Sequence, residues 1–279
     1  MPFFSVIIPT FNRSKTIIRA IESVLSQDFK DFEIIVIDDG STDSTYTDVK
    51  KLNNNLKYIR NPFNIGVSAS RNKGIRHCKS PWIAFLDSDD YWLESKLSVQ
   101  HTFILQNPGI VACQTDEIWI RNGRRVNPKN RHKKPSGDIF SRSLELCLVS
   151  PSSVALKRSV FHEIGLFDES LPAAEDYDLW LRLSCRYPVH LIKKNLIVKN
   201  GGHNDQLSRK YHGMDKHRIK SIERLIKNGV LKSDQKRLAM KALSTKCNIY
   251  GKGCIKRGKI EEANYYLSLP ERLISAFQD

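Results

Sequence analysis

An α/β domain on a largely parallel sheet buried on both faces, followed by a basic helical tail, is the fold class this sequence predicts. Three observations carry that expectation. Short, continuously apolar and β-branched runs alternate with stretches of helical spacing across residues 4–199. Runs without polar alternation belong to strands covered on both faces, as in sheets with crossover helices. From about Asp215 onward the spacing is helical throughout.

The elements follow in order. FSVIIP (4–9) is a strand, and SKTIIRAIESVLSQ (14–27) is a helix with Ile17, Ile18, Ile21, Val24 and Leu25 on one stripe and Ser14 as N-cap. FEIIVID (32–38) and WIAFLD (82–87) are further strands, separated by a helix over SASRNKGIRHC (68–78), and GIVACQTDEIWI (109–120) holds one or two more. Residues 122–138 are polar, basic and rich in Asn, Pro and Gly, which predicts a loop. A strand end and short helix closed by Gly165 occupy 155–167, a helix 175–187, and extended chain 189–199. In the tail, turns are expected at Gly229, around Gly251–Gly253 and at Gly258, giving one helix-turn-helix hairpin of the tetratricopeptide kind. A single such unit cannot bury its own face, so it must pack on the α/β part or on a partner.

Composition narrows the classes. Hydrophobic and charged residues make up 40% and 27% of the 279, as in water-soluble globular proteins. No apolar run nears the ~20 residues that span a bilayer. The start, MPFFSVIIPTFNR, reads as a strand, not as a secretion signal, so a cytoplasmic location is expected. Six cysteines without a C-x-x-C pair read as reduced thiols, neither disulfide framework nor zinc site. The net charge is +15; from Gln206 onward there are 17 Lys and Arg against seven Asp and Glu, and RNGRRVNPKNRHKK (121–134) has no acid. Such a field favours anionic partners: nucleotide phosphates, anionic lipid or nucleic acid.

Four acidic groups fall at strand or helix ends: IDDGSTDS (37–44), LDSDD (86–90), FDES (167–170) and AEDYD (174–178). In an open parallel sheet, ligands lie beyond the carboxyl ends of the strands. Asp38/Asp39 and Asp87/Asp89 end two such strands and should face one crevice. Asp87 and Asp89 share a side of extended chain and repel unless a cation lies between them. Oxygen-only ligands suit Mg²⁺ or Mn²⁺. The alternative is that D-S-D-D simply starts the helix around YWLESKLSVQ. No Walker loop, G-x-G-x-x-G, H-E-x-x-H or G-x-S-x-G is present.

Taken in series, SVIIPTFNR, IIVIDDGSTDST, NIGVSASRNKG, FLDSDDYW and AEDYDLWLR resemble glycosyltransferase family 2, enzymes of the GT-A fold, from about Phe4 to His203. The resemblance implies a Rossmann-like, mostly parallel sheet flanked by helices over residues 1–205, with 206–279 as a basic helical extension. It implies an inverting, metal-dependent transfer of one sugar from a nucleotide donor, UDP-sugar favoured, to a glycan, lipid-linked or protein hydroxyl. Pro9, Thr10 and Phe11 match positions flanking the base, with Phe11 as a stacking face. Asp39, or its neighbour Asp38, matches the acid that accepts from the base's ring N–H. Arg71 matches a basic residue near the nucleotide, or a helix-stapling salt bridge. Asp87 lies toward the ribose and donor sugar, and Asp89 matches the ligand for Mn²⁺ or Mg²⁺, with His203 completing the metal site or touching the diphosphate. Asp176 matches the base, with Glu175 as the rival. Asp178 orients the helix, and Trp180 is a core residue or a stacking face for the acceptor. No Q-x-x-R-W signature of processive synthases appears.

The basic tail and loop would then hold the enzyme at an anionic membrane face or bind a phosphate-rich acceptor. The competing classes are a nucleotidyltransferase, which lacks its triphosphate loop here, and a non-catalytic basic scaffold. No nucleic-acid motif is present, so nucleic acid is not an expected partner. Oligomeric state stays open, with the tail as one available dimer contact.

Overall fold

The computed structural model of the chain describes residues 1–52, 56–202 and 213–276. β1 (Phe4–Thr10) leads through α1 (Ser14–Leu25) to β2 (Phe32–Asp38) and through α2 (Thr45–Lys51) to β3 (Lys57–Arg60). α3 (Val67–His77) then carries the chain back to β4 (Trp82–Phe85). These strands are parallel in the order β3-β2-β1-β4. The chain winds outward from β1 and then crosses to its other side. That reversal opens a crevice beyond the carboxyl ends of β1 and β4.

Period-two alternation splits the core into two layers. Phe4, Val6, Ile8, Ile34 and Val36 pack with Ile17, Ile21 and Val24 of α1 on one face. Ile7, Ile35, Ile37, Ile83 and Phe85 face the other layer, with Leu179, Trp180 and Leu183. Trp180 is 1% exposed there, edge-on to Phe167. That is the core reading of this residue. Ser14 is the first residue of α1 rather than its cap: Arg13 holds the cap position, and the Ser14 N–H donates to Asp43 Oδ2 at 3.2 Å.

The second half comprises β5 (Tyr91–Trp92), α4 (Lys96–Gln106), β6 (Ala112–Arg121), β7 (Arg124–Val126), α5 (Phe140–Glu145), β8 (Val154–Lys157), α6 (Phe161–Ile164), α7 (Glu175–Ser184) and β9 (His190–Gly201). The sheet continues β4-β8-β6-β9-β5, with β7 on β6. Here it is mixed. β8 runs antiparallel to β4 and β6, β5 antiparallel to β9, and β6 parallel to β9. Part of the expected loop at 122–138 is a hairpin, turning at Asn122 and Gly123, both in the left-handed region. Residues 91–92 pair with β9, so the acidic D-S-D-D stretch precedes a strand and caps no helix.

α8 (Met214–Lys227), α9 (Ser233–Ile255) and α10 (Ile260–Ser275) form the tail. Ile219, Ile222, Leu225, Ala239, Leu243 and Cys247 share one core with Phe140, Leu144, Tyr177 and Leu181, so the inner face of the tail closes on α5 and α7. The turn expected at Gly251–Gly253 is absent: α9 runs through both. A Cβ at Gly251 would lie 2.7 Å from Leu267 Cγ, so this glycine serves close helix–helix approach. The hairpin turns later, at Gly258 with φ +72°. Among the described residues no helix is long and apolar enough to cross a membrane.

Candidate active site

A cleft of about 1300 Å³ opens at the switch point. Its walls come from the β1 end, the loop after β2, α3, the tip after β4, the start of α7 and the end of β9. Pro9, Thr10, Phe11, Asp39, Arg71, Asp87, Asp89, Glu175 and Asp176 all line it. Asp38 does not. His203 lies outside the described residues.

The first wall is laced together by short-range bonds. Asp39 N–H donates to Thr10 O at 2.8 Å, Asn12 N–H to Ser41 Oγ at 2.9 Å, and Thr42 N–H to Asn12 Oδ1 at 2.8 Å. Phe11 is 40% exposed, leaving its ring face available for stacking. The two neighbouring acids have separate jobs. Asp38 is fully buried, accepting from Ser41 N–H at 2.9 Å and the Tyr58 hydroxyl at 2.5 Å, with Arg60 Nε 3.6 Å away. It braces the sheet, which corrects its place among the nucleotide contacts. Asp39 accepts from Asn61 Nδ2 at 2.8 Å, Ile65 N–H at 2.9 Å and Gly66 N–H at 2.8 Å. A carboxylate has about four lone-pair sites, so one remains for a ligand N–H.

Arg71 joins the two halves of the cleft. Its Nη2 donates to Asp87 Oδ1 and its Nη1 to Glu175 Oε1, both at 2.7 Å, and its plane lies over Phe167. Burial works against the charge, but the two carboxylates outweigh it and hold the guanidinium charged. Arg71 lines the cleft and is an ion-pair staple between its two sides. Burial and the adjacent Asp176 push the Glu175 carboxyl up, against the pull of Arg71. The 2.7 Å bond from Arg71 is what engages Glu175 in the pair. Asp178 pairs with Arg182 Nη2 at 2.7 Å along α7.

Asp176 is half-buried, accepting the Tyr177 N–H on Oδ1 at 2.7 Å and the Cys147 thiol on Oδ2 at 3.4 Å. The turn before it places Ala174 at φ +60°, ψ +27°. A non-glycine residue there is strained and is held by its surroundings, as at many functional sites.

The tip after β4 is fixed from beneath. Asp90, 1% exposed, accepts from Ser152 Oγ at 2.7 Å and from Asn200 N–H at 2.9 Å. Burial first, then the charge of Asp89, push its carboxyl well up. Asp87 N–H donates to Ser152 Oγ at 3.1 Å. Three acids thus crowd one tip. Among the described residues no group of three or more His, Cys, Asp or Glu is placed to hold a metal. The Asp87 and Asp89 pair of hard oxygen donors still fits Mg²⁺ or Mn²⁺, which takes one or two carboxylates and completes its shell with phosphate oxygens and water.

Lys199, at the end of β9, also lines the cleft. Burial would lower its ammonium, but Glu117, Asp90, Asp87 and Asp176 keep it charged. Nothing in the spacing of LIVKN singles it out. Cys147 and Ser152 likewise carry no local signal, because their partners lie 29 and 62 residues away.

The family described as Glycosyl transferase family 2 matches residues 5–165. An uncharacterized glycosyltransferase of Rickettsia felis is 34% identical over 210 residues, covering 72% of this chain and 33% of that protein. The chain therefore spans about a third of the length of the first curated relatives it matches. The Escherichia coli protein WfaP, named UDP-Glc:alpha-D-GlcNAc-diphosphoundecaprenol beta-1,3-glucosyltransferase, is 32% identical over 191 residues, covering 66% of this chain and 70% of that one. The crystal structure of S. aureus TarS 1–349 in complex with UDP-GlcNAc superposes with a TM-score of 0.71 at 20% identity, over 97% of this chain and 92% of that one. The mannosyltransferase PcManGT from Pyrobaculum calidifontis, in complex with GDP-Man and Mn²⁺, gives 0.68 at 16% identity, over 99% and 79%. These likenesses establish a GT-A fold, and with the family match they lead to one statement: the chain belongs to glycosyltransferase family 2.

Proposed function

We propose that the chain is an inverting, metal-assisted glycosyltransferase that moves one sugar from a nucleoside-diphosphate donor, UDP-sugar favoured, to the hydroxyl of a glycan, lipid-linked or protein acceptor. One observation carries the reading. A single cleft at the switch point gathers a nucleotide-side wall, a pair of strand-tip acids and a half-buried carboxylate from the opposite helix. TarS is named with UDP-GlcNAc and WfaP as a user of UDP-Glc on a diphosphoundecaprenol-linked sugar, which supports UDP and a lipid-linked acceptor here.

Phe11 offers its ring to the base, and the free site on Asp39 accepts the ring N–H. Asp87 and Asp89 would hold Mn²⁺ or Mg²⁺, which when bound neutralises the charge gathering on the departing diphosphate. PcManGT is named with Mn²⁺, in line with that pair of acids. Arg71 keeps Asp87 in place. Asp176 takes the proton of the acceptor hydroxyl as the oxygen attacks the anomeric carbon. A carboxylate is a weak base for an alcohol, but the proton leaves only as the C–O bond forms, and proximity lowers the barrier. Glu175, engaged by Arg71, is not placed for that task.

Isothermal titration with UDP, GDP and dTDP, with and without Mn²⁺, tests the reading. We expect Mn²⁺-dependent binding of UDP, with Asp89→Ala weakening it at least ~10-fold, the scale seen when metal sites lose even an outer-shell partner. Metal-independent binding that Asp89→Ala leaves unchanged would sink the metal assignment. Binding of none of the three would sink the nucleotide-sugar reading.

The basic 121–134 segment and the exposed Lys241, Lys252 and Lys256 would hold the enzyme at an anionic inner-membrane face. Co-sedimentation with phosphatidylglycerol vesicles should fall steeply as salt is raised. Equal recovery with neutral vesicles would reject that location.

A further inference from the structure

Cys147 belongs to none of the motifs that mark the cleft, yet its single thiol proton reaches Asp176 Oδ2 at 3.4 Å, with Val149 O at 3.5 Å as the competing acceptor. The other oxygen of that carboxylate accepts the Tyr177 N–H at 2.7 Å. One donor on each oxygen fixes the rotation of the group and leaves lone pairs for a ligand. Cys147 is itself braced. It packs against the core beneath α7 and against the core of the helical tail. Tyr177 Oη donates to Leu144 O at 2.8 Å, and Lys246 Nζ of α9 donates to Glu145 O at 3.1 Å. The tail therefore supports the end of α5, and that segment supports Asp176 and Tyr177.

The identity of the donor matters. Burial, reinforced by the Asp176 charge, pushes the thiol well up, so it remains a protonated donor at neutral pH. A strong donor would stabilise the carboxylate and reduce its basicity; a thiol is a weak one. It can orient the group at little cost to proton uptake.

We propose that Cys147 is a positioning residue for glycosyl transfer: its S–H···Oδ2 bond aims the Asp176 carboxylate at the acceptor hydroxyl. The inference rests on the assignment of Asp176 as base in the function proposed above. No bond to sulfur forms; the thiol only donates.

Two measurements on the full chain test it. The first is the infrared S–H stretch, isolated as the difference between wild type and Cys147→Ser. We expect a hydrogen-bonded band that moves toward the free-thiol position in Asp176→Asn, and this readout needs no turnover. The second is kinetics. Cys147→Ala should lower kcat about 3- to 10-fold, the worth of one hydrogen bond, with the donor KM unchanged. Cys147→Ser, which keeps a donor and guards against a folding defect in the alanine variant, should restore kcat. An S–H band unmoved by Asp176→Asn would overturn the inference. So would Cys147→Ala with wild-type kcat in an active chain, and that failure would leave the functional reading standing. A shifted band in a wild-type chain that transfers no sugar would overturn the role together with that reading.

Discussion

Asp176→Asn is expected to lower kcat by ~10³-fold, within the 10²–10⁴ that a positioned base contributes, while UDP affinity stays within about twofold because the residue makes no contact on the nucleotide wall. Asparagine is nearly isosteric. Its carbonyl oxygen can still accept the Tyr177 N–H, so the start of α7 is retained. What is lost is the capacity to take a proton. Glu175 cannot substitute, because the residue is 6% exposed and its carboxylate is bonded to Arg71 at 2.7 Å. Steady-state turnover at saturating donor, paired with calorimetric UDP binding, separates the two effects. If Glu175→Gln abolished turnover in a folded, UDP-binding protein while Asp176→Asn spared it, the roles would be reversed.

Arg71→Met should produce the largest loss of stability. The guanidinium is 4% exposed and pairs with two carboxylates, one of them nearly as buried. Removing one partner of such a pair leaves an uncompensated buried charge, at a cost of about 3–5 kcal/mol. The defect has a pH signature. Without Arg71, burial and Asp176 would act on Glu175 unopposed, raising its folded-state pKa further above the ordinary 4.5 than in the wild type. The folded state would then hold the proton more tightly than the unfolded one. The variant's stability would therefore fall as pH rises from about 4.5 through that raised value. Thermal melts should show a wider gap from wild type at pH 7 than at pH 5, and Arg71→Met/Glu175→Gln should recover part of it. A gap that did not change with pH would mean the guanidinium acts by packing on Phe167 alone.

Much of the fold was legible because it is written locally. Continuous β-branched runs identify β1, β2 and β4, and the stripe from Ile17 to Val24 identifies α1. Strand direction is not local. The antiparallel insertion of β8 between β4 and β6 depends on how distant segments return, which no periodicity records. Gly251 misled for a related reason: glycine signals a turn unless a neighbouring helix needs its space, and Leu267 does. The strand-tip acids were visible because three carboxylates after an apolar run have few structural uses. Asp38 and Asp39 were indistinguishable in sequence, being adjacent and identical; both are buried, and only their partners and the cleft that Asp39 lines separate them. Lys199, Asp90 and Cys147 acquire meaning from residues far along the chain, so single-sequence reading passes over what they do.

The strand order also governs when the site can exist during synthesis. Arg71 meets Asp87 after 16 residues but Glu175 only after 104, and Asp90 waits 110 residues for the N–H of Asn200. A nascent chain emerging at ~5–20 residues per second thus carries the guanidinium with one of its two carboxylate partners missing for several seconds. Over the same interval the β4 edge stays open until β8 docks, and an open edge invites pairing with another chain. A fragment cut at residue 165, where the family match ends, would keep β8 but lack Asp176, β9 and the second partner of Arg71. On the proposed assignment of Asp176, the smallest autonomous catalytic unit reaches beyond β9, and any split-protein design should break the chain on the far side of it.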